Sequence, residues 1–126
     1  HKIVNKKQSG QIIYSEEWNR GIVDNYFETL EKAKLIVNIL EPNTLEKPDF
    51  IAVYQPFDLN RTEDIIPIHN KIKDKSKSIS WLYDINDVLS ETKNSYVDAI
   101  HVNEHARTVI AEAISMLIIN SYSEIR

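Results

Sequence analysis

Asp98 and His101 stand three residues apart in Asp98-Ala99-Ile100-His101-Val102-Asn103, a segment that runs directly into an amphipathic stretch beginning near Glu104. A neutral imidazole is the side chain best matched to proton transfer near pH 7. It serves as a general base when one ring nitrogen is pinned. A carboxylate that accepts the Nδ1 proton fixes the tautomer and stabilises the imidazolium as it forms. A single tight turn between Asp98 and His101 would bring both side chains to one side. The plain alternative is that Asp98 only caps that turn. No nucleophile motif and no obvious oxyanion donor accompanies the pair, so the segment reads as the base-supplying half of an active site.

Other groupings carry less chemistry. His101-Val102-Asn103-Glu104-His105 matches the His-x-x-Glu-His pattern of one zinc peptidase group. However, Asn103 as a helix cap would leave His101 outside the regular turns, and little chain follows His105 to supply an acidic ligand. No metal and no cofactor is therefore expected. Asp84 and Asp87 are spaced as a pair of carboxylates in a helical turn, a weak basis for glycoside hydrolysis. Gln55 and Asp58 follow an apolar run, where loops often touch substrate, although Asp58 also suits a turn. His69 is expected at the surface or boundary of a helix, and Trp18 and Trp81 in packing or lining a pocket. Lys71, Lys73, Lys75 and Lys77 read as a solvated face interrupted by Asp74.

Composition narrows the classes. The chain has 126 residues, suited to one domain, with 42% hydrophobic and 27% charged residues, ordinary values for a globular protein. A net charge of −4 argues against nonspecific nucleic-acid binding, which needs a basic surface. With no cysteine, disulfides and thiolate chemistry are excluded, and the compartment stays open. No apolar run approaches the roughly 20 residues of a membrane span. The first residue is His1, not Met, so further residues are expected upstream.

The elements that must position the pair follow from periodicity. Residues 1–14 read as a loop or ragged end, with Ile12-Ile13-Tyr14 as a short extended piece. A long helix is predicted over Glu16–Leu40, capped by Ser15, with Trp18, Ile22, Tyr26, Leu30, Ala33, Val37 and Leu40 as its apolar stripe. Gly21 weakens it by about 1 kcal/mol. Phe50-Ile51-Ala52-Val53-Tyr54 is an unbroken apolar run of the kind found in a parallel strand buried on both faces. A second helix is predicted over 63–75, with Asn60 and Glu63 as a capping box. Residues 79–83 read as a second strand, 84–89 as a helical turn and 90–97 as a loop. A last helix over 104–121 would bury Val109, Ile110, Ala113, Ile114, Leu117 and Ile118. Helix, strand, helix, strand, helix implies an α/β fold with a parallel sheet and helices on both faces. Ligands then bind beyond the carboxyl ends of the strands. Two strands alone leave unpaired edges, so further strands are expected from outside this chain or from another copy.

The segment Tyr96-Val97-Asp98-Ala99-Ile100-His101-Val102-Asn103, continuing through Ala106, Ile110, Ala111 and Ile114, resembles the C-terminal block of the SGNH hydrolases, also called GDSL-type esterases. It departs at Ala106, where the family often has Gly. Asp24-Asn25-Tyr26 and the run from Phe50 to Pro56 are similar to the second half of such domains. The resemblance implies a three-layer flavodoxin-like fold and ester hydrolysis or acyl transfer through a serine, with His101 as general base and Asp98 as its orienting partner. It also implies that residues 1–126 form one partial domain. The family's Gly-Asp-Ser and Gly-x-Asn-Asp blocks have no counterpart here, and Gly10 and Gly21 stand in other contexts. The serine and the oxyanion hole would then come from an N-terminal half, and the substrate would be an acyl or acetyl ester of a carbohydrate or small molecule. The alternative reading is a non-catalytic binding module that keeps the fold.

Overall fold

The computed structural model describes residues 6–8, 11–40 and 50–123. The order is β1 (Lys6–Gln8), β2 (Gln11–Ile13), α1 (Glu16–Leu40), β3 (Ala52–Tyr54), a 3-10 turn (Glu63–Ile65), α2 (Ile66–Ser76), β4 (Leu82–Asp84), a second 3-10 turn (Asn86–Leu89) and α3 (Glu104–Ser123). β1 and β2 pair antiparallel, so part of the expected N-terminal loop is paired strand. β3 and β4 pair parallel, with Ala52 opposite Leu82 and Tyr54 opposite Asp84. Over the described residues the fold is mixed α/β, with a small two-stranded parallel sheet and three helices.

α1 starts where its cap dictates: the Ser15 hydroxyl oxygen accepts the Trp18 amide at 3.1 Å, satisfying one of the unpaired first-turn donors. The core is Val23 and Phe27 of α1, Ala52 of β3, Ile68 and Ile72 of α2, and Leu82 of β4, with Tyr26, Leu30, Phe50 and Trp81 packed around it. The buried strip of α1 is thus Asn19, Val23 and Phe27, one residue on from the predicted stripe. Tyr26, Leu30, Ala33 and Val37 are half-buried, while Trp18, Ile22 and Leu40 are exposed. The reason is extent. A helix of 25 residues is about 37 Å long, whereas three-residue strands span about 10 Å. α2 and the short sheet therefore cover only part of the length of α1, and Leu35, Ile36 and Ile39 stay exposed as well.

α3 departs further from expectation. It packs against the 3-10 turn 86–89, and Ala106 in its first turn is fully buried. Beyond that turn the expected inner face is only half covered: Val109, Ile110, Ala113, Ile114 and Leu117 are half-buried and Ile118 is exposed. Nor do Asn60 and Glu63 form a capping box. The Asn60 amide is taken by Asp58 Oδ1 at 3.0 Å, and Thr62 precedes the 3-10 turn without a side-chain cap.

Candidate active site

Asp98 and His101 sit in a tight turn closed by backbone bonds. The Val97 amide donates to the His101 carbonyl at 2.8 Å, and Tyr96 bridges antiparallel to Val102. Asn94 holds a positive φ of 54°, a conformation asparagine tolerates better than most residues. Asn103 locks the far side. Its amide donates to the Ser95 carbonyl at 2.8 Å, its Nδ2 donates to the Asn94 carbonyl at 2.7 Å, and its Oδ1 accepts the Ala106 amide at 2.8 Å. One side chain therefore caps α3 and fastens the start of the loop to it.

Within the turn, Asp98 Oδ1 accepts the amides of Ile100 (2.9 Å) and His101 (2.7 Å). Asp98 Oδ2 lies 2.6 Å from His101 Nδ1. The His101 and Ile100 amides, with the His101 ring, pull the Asp98 carboxyl down to about 2. An ionised carboxylate is an acceptor only, so Nδ1 carries a proton, and in the neutral ring Nε2 is the acceptor nitrogen. That is the tautomer a general base needs. Both side chains are open, with 71% of His101 and 54% of Asp98 exposed. The apolar side chains of Val97 and Ile100 are also exposed beside them. Among the described residues no hydroxyl hydrogen-bonds the His101 ring.

The loop after β3 meets this turn. The Asp58 amide donates to the Ala99 carbonyl at 3.0 Å, and Arg61 Nη1 donates to the Val97 carbonyl at 3.0 Å. The Asp58 carboxylate is occupied by the Asn60 amide and by Arg61 Nε at 3.3 Å, so it holds the turn. Gln55 is exposed just past β3. The topology thus brings Asp58 to the His101 loop through its backbone. Arg61 was not legible as a partner, because its acceptor lies 36 residues away.

His69 is not at the surface. It is 4% exposed, with Nδ1 2.9 Å from the Tyr54 hydroxyl and the Phe57 ring edge-on at 4.8 Å. It turns inward because it sits beside Ile68 and Ile72 on the face of α2 that meets the core. Asp84 and Asp87 do not make a glycosidase pair. Lys73 lies 3.6 Å from each, and Asp84 Oδ1 accepts the Asn86 amide and side chain. Those bonds and Lys73 outweigh burial and lower the Asp84 carboxyl, the opposite of what a proton-donating acid requires. His101 precedes the first turn of α3 and faces Asp98, so it does not share a helix face with His105. Among the described residues no group of three or more His, Asp or Glu could hold a metal ion, and no helix is long and apolar enough to cross a membrane. Comparison with known protein families, curated proteins and solved structures finds no match.

Proposed function

We propose that this chain is the base-bearing part of a serine ester hydrolase of the SGNH type, in which His101 takes the proton of a serine hydroxyl and Asp98 holds the ring. The observation that carries this reading is the 2.6 Å contact from His101 Nδ1 to Asp98 Oδ2, made by a carboxylate whose other oxygen is fixed by two backbone amides. Such a pair leaves Nε2 available to accept a proton from an incoming hydroxyl. The proposed substrate is an acyl or acetyl ester of a carbohydrate or small molecule. Gln55 and Asp58 are proposed to border it at the end of β3.

The nucleophile and the oxyanion donors are assigned to an N-terminal half that extends the β3–β4 sheet into a three-layer, flavodoxin-like arrangement. Three features among the described residues support an extension: a two-stranded parallel sheet, a long α1 with no buried residue beyond Phe27, and an α3 whose buried residue is Ala106 of its first turn. Parallel sheets are otherwise covered and continued on both sides.

The test is covalent labelling with a fluorophosphonate probe of the chain expressed with its upstream residues. Labelling of one serine, abolished by His101→Asn, is expected. A complete assembly in which no serine labels favours the non-catalytic binding module instead.

A further inference from the structure

The carbonyls on either side of Asp98 are both held by the loop after β3. Asp58 donates its amide to the Ala99 carbonyl and Arg61 donates Nη1 to the Val97 carbonyl, each at 3.0 Å. These two holds are themselves joined. Arg61 Nε lies 3.3 Å from Asp58 Oδ2, the Arg61 amide donates to the Asp58 carbonyl at 3.1 Å, and the Thr62 hydroxyl donates to the same carbonyl at 2.6 Å. Thr62 is buried and anchors the loop in the body of the protein. The Asp98–His101 turn, by contrast, is exposed and held otherwise by its own short-range bonds and by Asn103.

From this clamp we infer that Arg61 is a positioning residue for the Asp98–His101 pair, setting the Val97–Asp98 and Ala99–Ile100 peptide planes so that the Asp98 carboxylate meets Nδ1. The planar guanidinium reaches a carbonyl with one nitrogen and a carboxylate with another, a fork that an ammonium cannot reproduce. Arg61 does not touch the reacting atoms. It acts through Val97 directly and through Asp58 on Ala99. Its consequence for catalysis rests on the esterase reading, but its effect on the His101 ring belongs to the chain itself and is measured there.

The experiment is nitrogen-15 NMR of the ring nitrogens of the full chain, comparing the wild type with Arg61→Ala, Arg61→Gln and Arg61→Lys. The readout is the ratio of the Nδ1–H to the Nε2–H tautomer of His101. The buried His69 signals serve as the control for an intact fold. In all three variants the tautomer ratio is expected to fall by about threefold, the scale of an exposed charged contact, with His69 unmoved. Should Arg61→Ala fail to fold, the Gln and Lys variants keep the long side chain and carry the test. A His101 ratio equal to wild type in the folded variants overturns the proposal. So does a change in Arg61→Ala and Arg61→Gln that Arg61→Lys fully restores, since that reports charge and not the fork. A serine that never takes the fluorophosphonate, with the NMR effect present, sinks the esterase reading and leaves the positioning role standing.

Discussion

The Tyr54 hydroxyl lies 2.9 Å from His69 Nδ1, and the two histidines of interest are consequently pinned in opposite tautomers. Burial, with Tyr26 and Asp84 nearby, pushes the Tyr54 hydroxyl up, so Tyr54 stays protonated and donates. His69 Nδ1 is then the acceptor, and the ring proton sits on Nε2. Burial first, then Lys73, lowers His69, while Asp84 and Asp87 pull the other way. The unfolded chain therefore binds a proton at His69 more readily than the folded one. Stability from the neutral ring is fully present above the unfolded value of about 6.5 and is lost as pH falls through the lower folded value. Chemical denaturation between pH 7.5 and 5 is expected to show this loss, and His69→Asn to remove it. Tyr54→Phe strands the buried Nδ1 acceptor and is expected to cost about 1–3 kcal/mol. A pH profile identical in wild type and His69→Asn would refute the account.

Contacts closed within one turn of chain were readable from sequence, and contacts closed by topology were not. Asp98 and His101 are three residues apart, so their meeting needed only a turn. The Ser15 and Asn103 caps act within three residues, which is why α1 and α3 begin where expected. Tyr54 and His69 are 15 residues apart, and Arg61 and Val97 are 36 apart. Nothing local marks either pair. The rotated strip of α1 has the same origin: periodicity shows that a helix has an apolar side, but Val23 and Phe27 became the buried strip only because Ile68, Ile72 and Leu82 lie there.

Asn103 serves two structures at once, and its removal should be felt in both. Asn103→Ala loses the cap on the Ala106 amide and the bond to the Asn94 carbonyl. A lost cap alone costs about 1 kcal/mol. Asn103→Asp keeps the cap but not the donor to Asn94. Hydrogen exchange at Ala106 is expected to rise in the Ala variant only, while loop amides near Asn94 loosen in both. Equal protection of those loop amides in Asn103→Asp and wild type would show that the Nδ2 contact holds nothing.

Gly21 lies inside α1, and a Cβ built there meets nothing within 4 Å. The residue therefore costs helix stability without a packing reason to keep it. Gly21→Ala is expected to raise stability by about 1 kcal/mol through the usual Gly-to-Ala difference in a helix interior. Thermal unfolding measures it directly. A fall in the midpoint would mean that this face of α1 meets a partner too closely for a methyl group.

Asp98→Asn separates the turn from the chemistry. Its Oδ1 can still accept the amides of Ile100 and His101, so the loop is kept. What changes is the atom facing the ring. The carboxylate Oδ2 accepts from Nδ1, whereas an amide nitrogen there donates, which drives the ring proton to Nε2 and removes the acceptor a hydroxyl would need. In the complete assembly the rate is expected to fall by about four orders of magnitude, as loss of the orienting carboxylate does in a serine triad, with substrate binding little altered. Stability behaves differently. Because Asp98 is lowered to about 2, its contribution is present above the ordinary value of 3.8 and is lost as pH falls toward 2. At neutral pH the variant loses that ionised contact but keeps its fold. The chain by itself is expected to leave a p-nitrophenyl ester intact with either residue, since no hydroxyl among the described residues meets the ring. Hydrolysis by the isolated wild-type chain, removed by Asp98→Asn, would place the nucleophile within these 126 residues and overturn the division of the triad between two halves.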